Sequence, residues 1–125
     1  QPDYPIPYNE LAFIWSEETS KLAKAVTFAE KAVSLAPKNS ALLDTLGWVY
    51  LKSGRAQEAA SQFENALRCV QSPAHTATVR YHLALALQNL GDNKGALHSI
   101  QKALLPSIDF PEVSAARSLA ATLAP

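Results

Sequence analysis

One cysteine, no methionine and only four glycines stand among these 125 residues. The lone Cys69 excludes an internal disulfide and leaves the compartment open. The absence of methionine leads to the expectation that the chain is an excised piece of a longer one. Charge of neither sign is in excess: 11 Lys and Arg face 11 Asp and Glu, and charged residues make up 18 % of the chain, against about a quarter in an average domain. That balance disfavours nucleic acid as a partner, because phosphate binding needs clustered basic residues and a positive field. No apolar run approaches the ~20 residues needed to span a bilayer. What is abundant is alanine, with 22 residues, and leucine, with 17. Both are strong helix formers, and the length suits a single all-α domain with its own core.

The stretch LLDTLGWVYLKSGR contains a glycine, Gly47, in the middle of a helical pattern. A glycine there costs about 1 kcal/mol against alanine, so a packing reason is expected. Repetition supplies one. Leu46-Gly47, Tyr50, Gly54, Ala59, Phe63 and Ala66 recur as Leu83-Ala84, Leu87, Gly91, Ala96, Ile100 and Ala103. Earlier in the chain the same slots hold Leu11-Ala12, Trp15, Ala25, Ala29 and Ala32. The step is 34 residues from Ala32 to Ala66 and 37 from Ala66 to Ala103, and the extra residues fall around Pro73.

Each unit reads as two helices. Leu43, Leu46, Gly47 and Tyr50 are spaced i, i+3, i+4, i+7 on one face, and Ala59, Phe63 and Ala66 form a face on the next helix. Gly54 is placed to end the first helix in a left-handed conformation, and Asn39 or Ser40 to cap its start. Gly47, Ala84 and Ala12 are expected to face Ala59, Ala96 and Ala25, letting the helix axes close to about 8–9 Å. Small-residue slots at a fixed period of this kind are the mark of a stacked repeat array.

The pattern resembles the tetratricopeptide repeat (TPR) family, most completely in the middle unit. That resemblance implies a right-handed superhelical solenoid of three helix-turn-helix units, about 5–37, 40–73 and 77–106. Beyond them, DFPEVSAARSLAATL reads as a capping helix over about 111–123, with Pro111 in its first turn, Glu112 at its positive end, and Val113, Ala116, Leu119, Ala120 and Leu123 as its apolar stripe. An array needs such a cover on its last face.

Nothing in the sequence has the form of an active site. His75, His82 and His98 lack ligand spacing, and His82 with Cys69 does not make the four-ligand set that zinc requires. Phosphate-loop, nucleophile-elbow and calcium-loop signatures are missing. The chain is therefore expected not to be an enzyme, and to hold no metal or cofactor.

The TPR resemblance implies a concave surface lined by the first helix of each unit. The positions expected there are Asn9, Phe13, Ser16 and Glu17, then Asp44, Trp48, Leu51 and Lys52, then Tyr81, Leu85, Gln88 and Asn89. In one TPR subclass Lys, Asn and Arg at such positions bind a C-terminal carboxylate. Here the equivalent residues are Asn9, Phe13, Asp44, Trp48, Tyr81 and Leu85, with no basic group among them. A protein or peptide partner anchored by apolar or aromatic side chains fits better, and self-association is compatible with it. The alternatives are a spacer within a longer solenoid, or a substrate-recruiting segment of a larger enzyme. A looser resemblance, to the C-terminal repeats of bacterial TPR proteins associated with exopolysaccharide production and exosortase-type sorting, implies a periplasmic or lipoprotein-anchored setting rather than a cytoplasmic one.

Overall fold

In the computed structural model, residues 12, 19–105 and 109–124 are described. A short 3-10 turn at Thr19–Lys21 leads into α1 (Leu22–Leu35), followed by α2 (Ser40–Lys52), α3 (Ala56–Cys69), α4 (Pro73–Asn89), α5 (Asn93–Leu104) and α6 (Val113–Leu123). Among the described residues there is no strand. Each helix packs on the next in chain order, and α2 also touches α4. The result is an all-α stack in which α2/α3 and α4/α5 form two helical hairpins.

The local chemistry sets the helix ends. Asn39 Oδ1 accepts from the Leu42 amide at 3.2 Å, Ser72 Oγ from His75 at 3.3 Å and Asp92 Oδ1 from Gly95 at 2.9 Å. Each satisfies an orphan amide of a first turn. Gly54 and Gly91, at φ 79° and 84°, turn the chain out of α2 and α4, as expected for glycine just past a helix end. The three extra residues of the third unit do not form a longer loop. They extend α4 by almost a turn, so that it begins at Pro73, where a fixed φ and a missing N–H are both tolerated.

Two apolar clusters meet along α4. The first gathers Ala12, Ala25 and Ala29 with Leu43, Leu46, Val49, Tyr50, Phe63 and Ala66. The second gathers Ala84, Ala96, Ile100 and Ala103 with Phe110 and Ala116. Alanine at so many buried positions is what lets the helices approach closely. Gly47 departs from expectation in one respect. A Cβ built on it would lie 2.5, 2.7 and 2.9 Å from Cε1, Cδ1 and Cζ of the fully buried Phe63, so it is the aromatic ring, more than Ala59, that the missing side chain accommodates. The slot is thus matched to its partner: Gly47 with Phe63 in the second unit, Ala84 with the smaller Ile100 in the third.

The C-terminal helix also differs in detail. Pro111 and Glu112 form a turn ahead of α6, and Glu112 is the residue at its N-cap position. Its carboxylate does not cap the helix; it accepts from the Thr78 hydroxyl of α4 at 2.9 Å. That bond, with Phe110 buried beneath, fastens α6 to the last hairpin.

Candidate functional site

The site grows out of the Gly47 slot. Because no side chain stands at Gly47, the Phe63 ring drops into α2, and its centroid lies 5.6 Å from that of His82 on α4. His82 in turn stacks obliquely with Trp48 at 4.8 Å and Tyr81 at 5.9 Å. Its Nδ1–H donates to Asp44 Oδ1 at 2.8 Å, with the two side chains 13 % and 14 % exposed. One bond therefore ties the first helix of the second unit to the first helix of the third, and three rings hold the imidazole in place. The geometries are tilted, as aromatic quadrupoles prefer.

Trp48 is half-buried. Its indole Nε1 is buried without a hydrogen-bond partner, and Lys52, one turn on, places its ammonium 4.9 Å from the ring centroid. That is within the range of a cation–π contact. Tyr81 is half-buried and packs against the second cluster. Burial, and then the nearby Glu112 carboxylate, push its phenol pKa above the ordinary value. Leu85 and Gln88 are half-buried and Asn89 is exposed at the end of α4. Leu51 is half-buried against the first cluster. The expected positions Asn9, Phe13, Ser16 and Glu17 lie outside the described residues.

So the structure brings Asp44, Trp48, Lys52 and Tyr81 into one neighbourhood and adds His82, which sequence reasoning weighed only as a metal ligand. A signal for it was present. Asp44 and His82 are 38 residues apart, one repeat step of 37 plus one, which sets an acceptor and a donor against each other across adjacent units. Among the described residues no group of three His, Cys, Asp or Glu side chains could hold a metal ion. The Asp44–His82 pair has the orienting half of a hydrolytic triad, yet no hydroxyl or thiol is hydrogen-bonded to His82 among the described residues; a triad needs that nucleophile. The arrangement holds a half-buried indole against the His82 ring and the Lys52 ammonium. Among the described residues no helix is long and apolar enough to cross a membrane.

Similar proteins agree with this geometry at the level of fold. YrrB, described as a TPR protein with an unusual peptide-binding site, superposes with a TM-score of 0.68 at 29 % identity, over 82 % of this chain and 50 % of its own. The Sgt2 TPR domain from Aspergillus fumigatus matches with a TM-score of 0.76 at 22 % identity, covering 98 % of this chain and 81 % of that one; at such identity the likeness concerns the fold alone. A TPR repeat-containing protein of Pseudomonas aeruginosa, PA4667, is 28 % identical over 68 residues, which is 54 % of this chain and 12 % of that protein. The chain thus spans half of YrrB and about an eighth of the curated relative. The tetratricopeptide repeat profile matches residues 9–114, most of the sequence, and with the stacked helical hairpins this establishes that the chain belongs to the tetratricopeptide repeat family.

Proposed function

We propose that the chain is a non-catalytic scaffold that holds a segment of a partner protein on the concave face of its solenoid, with Trp48 as the central anchor. We divide it into three repeats closed by α6. The observation that carries the reading is the setting of Trp48: a half-buried indole held against His82 and the Lys52 ammonium, on the helix expected to line the groove. Large amphipathic aromatics fixed by their neighbours are the side chains that dominate binding energy at protein interfaces. Tyr81 and Leu85 add half-buried apolar surface on α4 and Gln88 and Asn89 a polar edge, and the sequence pattern assigns Asn9, Phe13 and Glu17 to the corresponding face of the first unit. YrrB, a relative with a peptide-binding site, supports a peptide-like ligand. The looser sequence resemblance favours a role beside exopolysaccharide production, tested by whether loss of the gene lowers the polysaccharide that the cell secretes.

The experiment for the binding reading is selection of displayed peptides on the immobilised chain, followed by titration of each recovered peptide against wild type and Trp48→Ala. Peptides bearing an apolar anchor and losing about tenfold or more in affinity with Trp48→Ala are expected. Recovered peptides indifferent to Trp48→Ala would remove the concave-face reading and leave a spacer in its place.

A further inference from the structure

Two cavities on the molecule share the same pair of cations. One, of about 190 Å³, is lined by Arg80 and Lys102 together with Gln71 and Thr76. The other, of about 280 Å³, is lined by Arg80 and Lys102 together with Leu67, Leu83, Leu87 and His98. They adjoin at Arg80 and Lys102 and are read together as one groove, walled by α4 and α5, with Leu67 of α3 at one end and Gln71 beyond α3 at the other. No acidic side chain lines either end. Among the described residues neither Arg80 nor Lys102 has an ion-pair partner. Lys94, His98 and Lys102 follow one another at four-residue steps along α5, so they share a face of that helix. In a chain whose net charge is zero, Lys94 and Lys102 with Arg80 are a local concentration of positive charge.

The two cations stand on helices that are pinned together at this point. The buried Ser99 hydroxyl of α5 donates to the Arg80 carbonyl of α4 at 2.9 Å. A guanidinium and an ammonium lining the same cavity can recognise a carboxylate, the arginine with two parallel bonds. Beside them Leu67, Leu83 and Leu87 are partly buried or buried leucines that offer an apolar end. Each cavity suits one or two side chains and falls below the usual volume for a small-molecule site, about 300–1,000 Å³. None of these residues belongs to the set around Trp48.

We infer that this groove is a second docking site, for an acidic segment of a partner protein in which a glutamate or aspartate is followed by a leucine-sized apolar residue. The carboxylate sits between Arg80 and Lys102, and the apolar side chain enters the Leu67–Leu83–Leu87 end. Binding here depends steeply on salt, because the attraction is between exposed charges and is screened within about 8–10 Å at physiological ionic strength.

The test is titration of the ¹⁵N-labelled chain with the blocked peptide Glu-Leu-Leu-Glu, read by amide shifts. Expected are shifts at Gln71, Arg80, His98 and Lys102, and a loss of about tenfold in affinity for Arg80→Gln/Lys102→Gln, the size expected when a hydrogen bond to a charged group is removed. The analogues Gln-Leu-Leu-Gln and Glu-Ser-Ser-Glu should each bind more weakly, and Trp48→Ala should leave binding unchanged, which separates this site from the concave one. Equal binding by the double variant with an unaltered thermal melt, shifts around Trp48 instead, no shifts at millimolar peptide, or inorganic phosphate binding as tightly as the peptide would each overturn the inference.

Discussion

Replacing Gly47 with alanine sets two effects of similar size against each other. Alanine regains about 1 kcal/mol of helix propensity in the middle of α2. Its Cβ would meet the Phe63 ring at 2.5–2.9 Å, where ordinary carbon contacts begin at about 3.5 Å. The ring must retreat by about 1 Å, and it is fully buried with His82 close by, so it has little room to yield. Overpacking of this kind costs about 1–3 kcal/mol, and the net expectation for Gly47→Ala is a loss of up to about 2 kcal/mol. In a Phe63→Ile background the same substitution recreates the Ala84/Ile100 pair of the third unit, and the propensity gain should then appear as a stabilisation of about 1 kcal/mol. Urea denaturation of wild type, the two single variants and the double variant closes the cycle, with a favourable coupling of about 1–3 kcal/mol expected. Gly47→Ala stabilising equally in both backgrounds, with no coupling, would refute the packing argument.

Further outcomes follow from the contacts around His82, Tyr50 and Phe110. His82→Ala strips Asp44 of its partner and removes the ring contacts to Trp48, Phe63 and Tyr81; a loss of about 2 kcal/mol and a red-shifted Trp48 emission are expected, while Asp44→Asn, which keeps an acceptor, should cost less. Tyr50 donates to Glu30 at 2.7 Å, and burial, then that bond, raise its pKa from 10.0 to about 12. The folded state therefore holds the phenol proton more tightly than the unfolded chain, so this contribution to stability is present below pH 10 and is lost as pH rises to about 12; alkaline melts of Tyr50→Phe should lack that step. Phe110→Ala empties a buried site beneath α6 and should cost about 3 kcal/mol in a thermal or urea melt, and deleting residues 110–125 should lower the melting temperature and promote association by baring Ala96, Ile100 and Ala103.

The helices were legible wherever spacing and small residues acted together. Leu43, Leu46, Gly47 and Tyr50 define the face of α2, and Gly54 and Gly91 end α2 and α4 by their left-handed φ. Less legible was what one repeat does to its neighbour. That Gly47 makes room for the Phe63 ring more than for Ala59 depends on ring placement, which periodicity does not encode. Pro73 reads as a turn in isolation, but with Ser72 capping it serves as the first residue of a longer α4. Pro111 shows the reverse: it suits a first turn, yet Glu112 is drawn to Thr78 and α6 starts after both. The role of His82 arises only when Asp44 of the preceding unit is brought alongside. The family pattern assigns positions to Asp44, Trp48 and Tyr81; that all three meet His82 follows from the stacking of α2 on α4.

The central claim is that Trp48 anchors a partner segment through apolar contact, and its most direct test is a fluorescence titration. The Trp15→Phe chain leaves Trp48 as the sole indole, since the sequence has two. A peptide recovered by selection is titrated into it at about 0.05 M and about 0.5 M salt, with Trp48→Ala followed in parallel by calorimetry. Expected are a saturable change in Trp48 emission, affinities that agree within about threefold at the two salt concentrations because no charge cluster steers the contact, and at least about tenfold weaker binding to Trp48→Ala. Silent Trp48 emission on saturation, a collapse of affinity in salt, or undiminished binding to Trp48→Ala would contradict it.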